Sequence, residues 1–168
     1  MSDESAVPHG ATEVPVAVQG EVAGSFLEGL LDSFALRGEV RSRPAEDGES
    51  VEVGVQGEDL GLLIGPKGVT LAAVQDLART VVQRRTGART GRLYVDVSGY
   101  RERRREALER FTRQMAERAL ATGQPVALEA MTAADRKVVH DAANTIDGVT
   151  TRSEGEEPRR RVVIVPGQ

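Results

Sequence analysis

The chain has 168 residues, 39% hydrophobic and 29% charged, enough to bury one or two small cores and too mixed for a wholly disordered segment. Cysteine is absent, which excludes disulfides, thiolate metal sites and a thiol nucleophile, and no apolar run approaches the roughly 20 residues that span a bilayer. The net charge of -4 conceals an asymmetry: residues 1–60 hold 13 acidic and 3 basic side chains and residues 61–168 hold 13 and 19, so the second part is electropositive and suits a polyanion.

Residues 1–19 carry Pro8 and Pro15 with little periodicity. They are expected to form a disordered leader in which His9 has no role, and with no signal-peptide pattern the protein is expected in the cytoplasm. Between Glu21 and Leu36 a helical stripe runs through Val22, Phe26, Leu27, Leu30, Leu31 and Phe34. LRGEVRSRP and ESVEVGVQG alternate apolar and polar residues around the turn-rich AEDGE, which predicts a hairpin. A short helix is expected over Glu58–Ile64, with its acids in the first turn. A second follows over Val69–Arg85, burying Leu71, Val74, Leu77, Ala78, Val81 and Val82. A strand at Gly91–Val97 completes an α+β unit, a three-stranded sheet with helices packed on one face. A long helix follows from Tyr100 to about Ala121, with Leu108, Phe111, Met115 and Ala119 along one side. Then come PVALEAM, a helix over Thr132–Asn144 whose start is marked by the Thr132 and Asp135 capping box, and strands near Val149–Ser153 and Arg161–Val165.

The segment LLIGPKGVTL interrupts an otherwise apolar, helix-forming run with two glycines, a proline and a lysine. Gly65 and Gly68 permit positive φ and leave no Cβ against an approaching ligand, and Pro66 stiffens the loop. The helix start behind it favours an anion, and Lys67 adds a mobile positive charge. A phosphodiester is therefore expected against this loop, with bases in a groove walled by Leu62, Ile64, Leu71 and Val74. A Walker A loop does not fit: Pro66 stands where its second glycine belongs and Gly68 where its hydroxyl belongs.

In the second half, Arg136 and His140 are four residues apart, on one helix face, close enough to share a phosphate or a base edge. The competing reading is a surface arginine beside a histidine packed on the sheet. Within RERRREALERFTRQMAER, Glu106 with Arg110 and Glu109 with Arg113 are helix-spaced ion pairs, leaving Arg103, Arg104 and Arg105 as the phosphate candidates. Arg159, Arg160 and Arg161 form a further cluster, in which strand alternation would set Arg159 and Arg161 on one face. Glu156 and Glu157 are read as solvated turn residues.

The IGPKG loop between a hairpin and a helix resembles the I-G-x-x-G loop of KH domains in their type II arrangement. Arg136-Lys137-Val138-Val139-His140 resembles the motif of the R-three-H domain, and the ending TTRSEGEEPRRRVVIVP resembles the Jag (KhpB) family of bacterial RNA-binding proteins. The resemblance implies a KH domain over 20–98 and a small α+β R-three-H domain over 99–166. It implies RNA-binding residues at Ile64, Gly65, Pro66, Lys67, Gly68, Arg136, His140, Arg159 and Arg161. The expected function is non-catalytic binding of single-stranded RNA, as an RNA chaperone or post-transcriptional regulator, with single-stranded DNA not distinguished. A protein-interaction adaptor docking through the sheet or long helix is the alternative. No cofactor or metal is expected. Partners of such proteins include a small single-KH protein and, more loosely, the membrane insertase machinery, so a KH-domain partner or a homodimer is also expected. Many members carry a further N-terminal domain and a long linker. Only the leader precedes Glu21 here, so that domain's function is not carried over.

Overall fold

The computed structural model describes residues 14–87 and 92–167. Most of the expected leader, including His9, lies outside them. The first helix, α1 (Val16–Ser33), begins five residues earlier than the periodicity indicated. Pro15 stands just ahead of its first turn, where a missing N–H costs nothing, and the Gln19 side chain donates back to the Val14 carbonyl at 2.8 Å. Residues 16–19 thus belong to the folded unit.

The buried face of α1 is Gln19, Gly20, Ala23, Gly24, Leu27 and Leu31, whereas Phe34 is exposed. Hydrophobicity alone put the stripe too far towards the large residues. The small ones face the sheet because the helix backbone lies close upon it: a Cβ on Gly20 would stand 2.8 Å from Val51 Cγ2 and 3.0 Å from Ser42 Cβ.

The hairpin strands are β1 (Gly38–Pro44) and β2 (Ser50–Gly57), antiparallel, with Val40 opposite Val55. Asp47 closes their turn. Its carboxylate accepts from the Glu49 and Ser50 N–H groups at 3.0 and 2.8 Å and from the Ser50 hydroxyl at 2.6 Å. The chain then forms α2 (Gly61–Ile64), a single 3₁₀ turn (Pro66–Gly68) and α3 (Val69–Thr86), and returns as β3 (Arg92–Val97) parallel to β2. Glu58 and Asp59 precede α2, so the acids expected in its first turn lie outside it. The sheet order is β1-β2-β3. Alternation places Val51, Val53, Val55, Leu93, Val95 and Val97 in the core, while Tyr94 is exposed on the opposite face. Each buried aliphatic side chain contributes about 1.5–3 kcal/mol of burial free energy. The outer edge of β3 is sealed by side chains of α3: the Val95 N–H donates to Gln75 Oε1 at 3.1 Å, and Arg79 donates to the Leu93 carbonyl at 3.1 and 3.2 Å.

Two compact units divide between Ser98 and Gly99. The second comprises α4 (Tyr100–Thr122), β4 (Val126–Ala127), α5 (Ala133–Ala143), β5 (Val149–Glu154) and β6 (Arg161–Pro166), with an antiparallel sheet in the order β4-β6-β5. Its core joins Leu108, Ala116 and Ala119 of α4, Val139 of α5 and Val162 and Ile164 of β6 with Leu128 and Met131. Phe111, expected inside, is exposed, and buried Thr112 takes its place. The threonine hydroxyl donates to the Leu108 carbonyl at 2.7 Å, so no unpaired polar group enters the core.

Candidate nucleic-acid interface

Gly65 (φ 68, ψ 178), Lys67 (φ 52, ψ 23) and Gly68 (φ 77, ψ 15) turn the chain sharply from α2 into α3. The Gly65 N–H donates to the Gly61 carbonyl at 2.9 Å, ending α2, and the Gly68 N–H donates to the Gly65 carbonyl at 3.2 Å. Glycine is required at 65 for a second reason besides φ. A Cβ there would lie 2.7 Å from Thr70 Cβ, and closer still to its Oγ1. Gly68 precedes α3 in the left-handed region, and no side chain caps the helix. The Val69 N–H donates back to the Pro66 carbonyl instead, so the 3₁₀ turn leads directly into α3.

Pro66 and Lys67 are exposed and Ile64 is half-buried. Of the expected groove walls, Leu62 is 56% exposed, but Leu71 and Val74 lie in the core beneath. Val69 and Leu77, both exposed on α3, take their place at the surface. With Ala73 between them they recur every fourth residue, and of this stripe Leu77 had been expected in the core.

In the second unit α5 starts as expected, with the Asp135 N–H donating to Thr132 Oγ1 at 3.2 Å. Its i, i+4 geometry brings Arg136 and His140 to one side, but not to open solvent. Arg136 is 8% exposed. Its Nη1 donates to the Met131 carbonyl at 2.9 Å and its Nη2 to Glu157 Oε1 at 2.6 Å. His140, half-buried, sets its ring nitrogens 2.7 Å from Thr151 Oγ1 and 2.9 Å from Ser153 Oγ. Those hydroxyls alternate on β5, so the histidine packs on the sheet as the competing reading held, while the arginine is not at the surface.

The arginine run on α4 is largely engaged in ion pairs. Arg104 donates to Asp135 Oδ2 at 2.9 and 3.2 Å, and Arg105 bridges Glu102 and Glu109. Glu109 therefore pairs with Arg105, not with Arg113 as its spacing had indicated. The hydrogen bond from Arg105 holds the Glu102 carboxyl below its usual range, and burial pushes the Tyr100 hydroxyl up. Arg104 and Arg105 are thus poorly placed for phosphate.

Further basic residues reach solvent around β5 and β6. Arg152 and Arg161 share Glu154, at 2.7 and 3.5 Å, and the hydrogen bond from Arg152, ahead of the charge of Arg161, keeps that carboxyl below its usual range. Arg159 and Arg160 are exposed in the turn before β6. Arg159 is outside the strand, so the expected alternation with Arg161 does not apply: β6 starts only at Arg161. Glu157, read as merely solvated, is the partner of Arg136. An acid in a polar turn carries no sequence sign of a partner 21 residues away.

This is the layout of a KH domain followed by an R-three-H domain. The KH-domain model of the KhpA and KhpB proteins matches residues 21–97, and the R-three-H domain model matches residues 106–166. The RNA-binding protein KhpB of Clostridium symbiosum is 35% identical over 139 residues, covering 83% of this chain and 62% of that protein. KhpB of Lactiplantibacillus plantarum is 42% identical over 104 residues, covering 62% and 32%, and KhpB of Bacillus subtilis 31% identical over 144, covering 83% and 66%. The chain belongs to the Jag (KhpB) family, and it spans about three fifths of the C. symbiosum relative and about a third of the L. plantarum one.

Proposed function

We propose that the chain binds single-stranded RNA without catalysing a reaction on it, in the manner of an RNA chaperone or post-transcriptional regulator. The observation that carries this reading is the loop before α3: Gly65, Lys67 and Gly68 all at positive φ, an uncapped helix start behind them, and exposed Leu62 and Val69 beside them. The phosphate backbone would lie against the glycine loop, where no Cβ of Gly65 or Gly68 stands in its way, with Lys67 adding charge, and the bases would rest on the apolar stripe. Arg159 and Arg161 would supply phosphate contacts in the second unit. That the relatives are named RNA-binding proteins supports RNA over DNA.

Fluorescence anisotropy with a single-stranded oligoribonucleotide, titrated at several salt concentrations, tests this. RNA binding that weakens steeply with salt is expected, with Lys67→Asp weakening it about tenfold while circular dichroism is unchanged. Asp tolerates the left-handed backbone at this position. Binding by Lys67→Asp equal to the unmodified chain would reject the clamp. Salt-independent retention would favour an adaptor that docks through apolar surface.

A further inference from the structure

We infer that Arg136 does not touch RNA but is a positioning residue that latches the basic turn carrying Arg159 and Arg160; the inference rests on the RNA-binding reading above. Four contacts close a circuit. The Arg136 guanidinium donates to the Met131 carbonyl at 2.9 Å and to Glu157 at 2.6 Å. The Met131 N–H donates to the Arg160 carbonyl at 3.2 Å, and the Arg159 N–H donates to the Glu156 carbonyl at 2.8 Å. Next along the chain, the Leu128 N–H donates to the Val162 carbonyl at 2.9 Å, so the segment before α5 runs beside the start of β6.

Both arms of the guanidinium are thus committed, one to the main chain before α5 and one to the turn after β5. At 8% exposure it has little surface to offer a phosphate. Arg159 and Arg160, whose main chains are held by this circuit, keep their side chains in solvent. A buried arginine whose fork spans two segments fixes both with one side chain, which is work that lysine, a point donor, would do less well. His140, on the same side of α5, braces β5 through Thr151 and Ser153. The motif then acts through what it braces.

Glu157→Gln separates this from a direct contact, because the two readings predict opposite signs. Glu157 is half-exposed at the surface, so the variant is expected to fold, with a melting temperature slightly lowered because the nearly buried Arg136 loses its charged partner. Removing an acid near a polyanion should tighten RNA binding if only charge matters. If the latch matters, binding weakens about fivefold, the size of losing a charge-assisted hydrogen bond that orders the turn. The Met131 amide, bonded to Arg160, should also exchange with solvent faster. In an Arg159→Ala/Arg160→Ala background Arg136→Gln should cost no further affinity, whereas a direct contact would add its own loss. Tighter or unchanged binding by Glu157→Gln, or unaltered Met131 exchange, overturns the latch. Failure of the unmodified chain to bind RNA overturns the proposed function instead, and the exchange measurement tells the two failures apart.

Discussion

Gly65 and Lys67 flank Pro66 but differ in what they tolerate. At Gly65 any side chain meets Thr70, so Gly65→Ala is expected to disturb the loop itself and cost about 1–2 kcal/mol from backbone strain alone, seen as a lowered melting temperature. An acid at this position would therefore confound lost binding with lost structure, and Lys67 is the cleaner probe. Asp47 offers a different residue-scale test. Its carboxyl is held below the usual range first by the Ser50 hydroxyl and then by the Ser50 and Glu49 amides and Arg92. A depressed carboxyl contributes stability that is present above its unfolded value of about 3.9 and is lost as pH falls through the lower folded value. Ser50→Ala should move the Asp47 titration, followed by NMR, up towards that ordinary value and shift acid unfolding to higher pH. An unmoved midpoint would show that the amides alone set it.

Among the elements, the strands were legible because both faces of the first sheet differ in exposure and period two survives in Val51, Val53 and Val55. Helix faces were read less well. On α1 and α4 the buried residues include Gly20, Gly24, Thr112 and Ala116, which hydrophobic counting passes over in favour of Phe34 and Phe111. On α1 the close approach of the helix to the sheet, not side-chain size, chose the face. Gly20→Ala should therefore destabilise the first unit by about 1–3 kcal/mol in denaturant unfolding, since the added methyl has no room against Val51 and Ser42. A helix propensity gain of about 1 kcal/mol opposes it, so an increase in stability would mean that the interface relaxes freely. At the candidate site, the loop was legible because glycine and proline punctuate it. The partners of Arg136 and His140 were not, because their spacing records a shared face and says nothing of what lies opposite.

In the molecule as a whole, each unit carries one proposed binding element, the glycine loop in the first and the basic turn in the second. If both engage one strand, residues 14–98 and 99–167 as separate fragments should each bind a long oligoribonucleotide more weakly than the joined chain, since tethering raises the local concentration of the second site. Equal affinity of one fragment and the full chain in anisotropy titrations would show that the units act alone.

The division between Ser98 and Gly99 also bears on how the protein is made. Every strand of the first sheet, including the parallel return of β3 beside β2, lies ahead of the second unit, and the Ser98 N–H already donates to the Val55 carbonyl at 2.8 Å. A chain emerging from a ribosome can therefore complete its first fold, with the edge of β3 covered by Gln75 and Arg79, before the arginine-rich helix that follows has been synthesised.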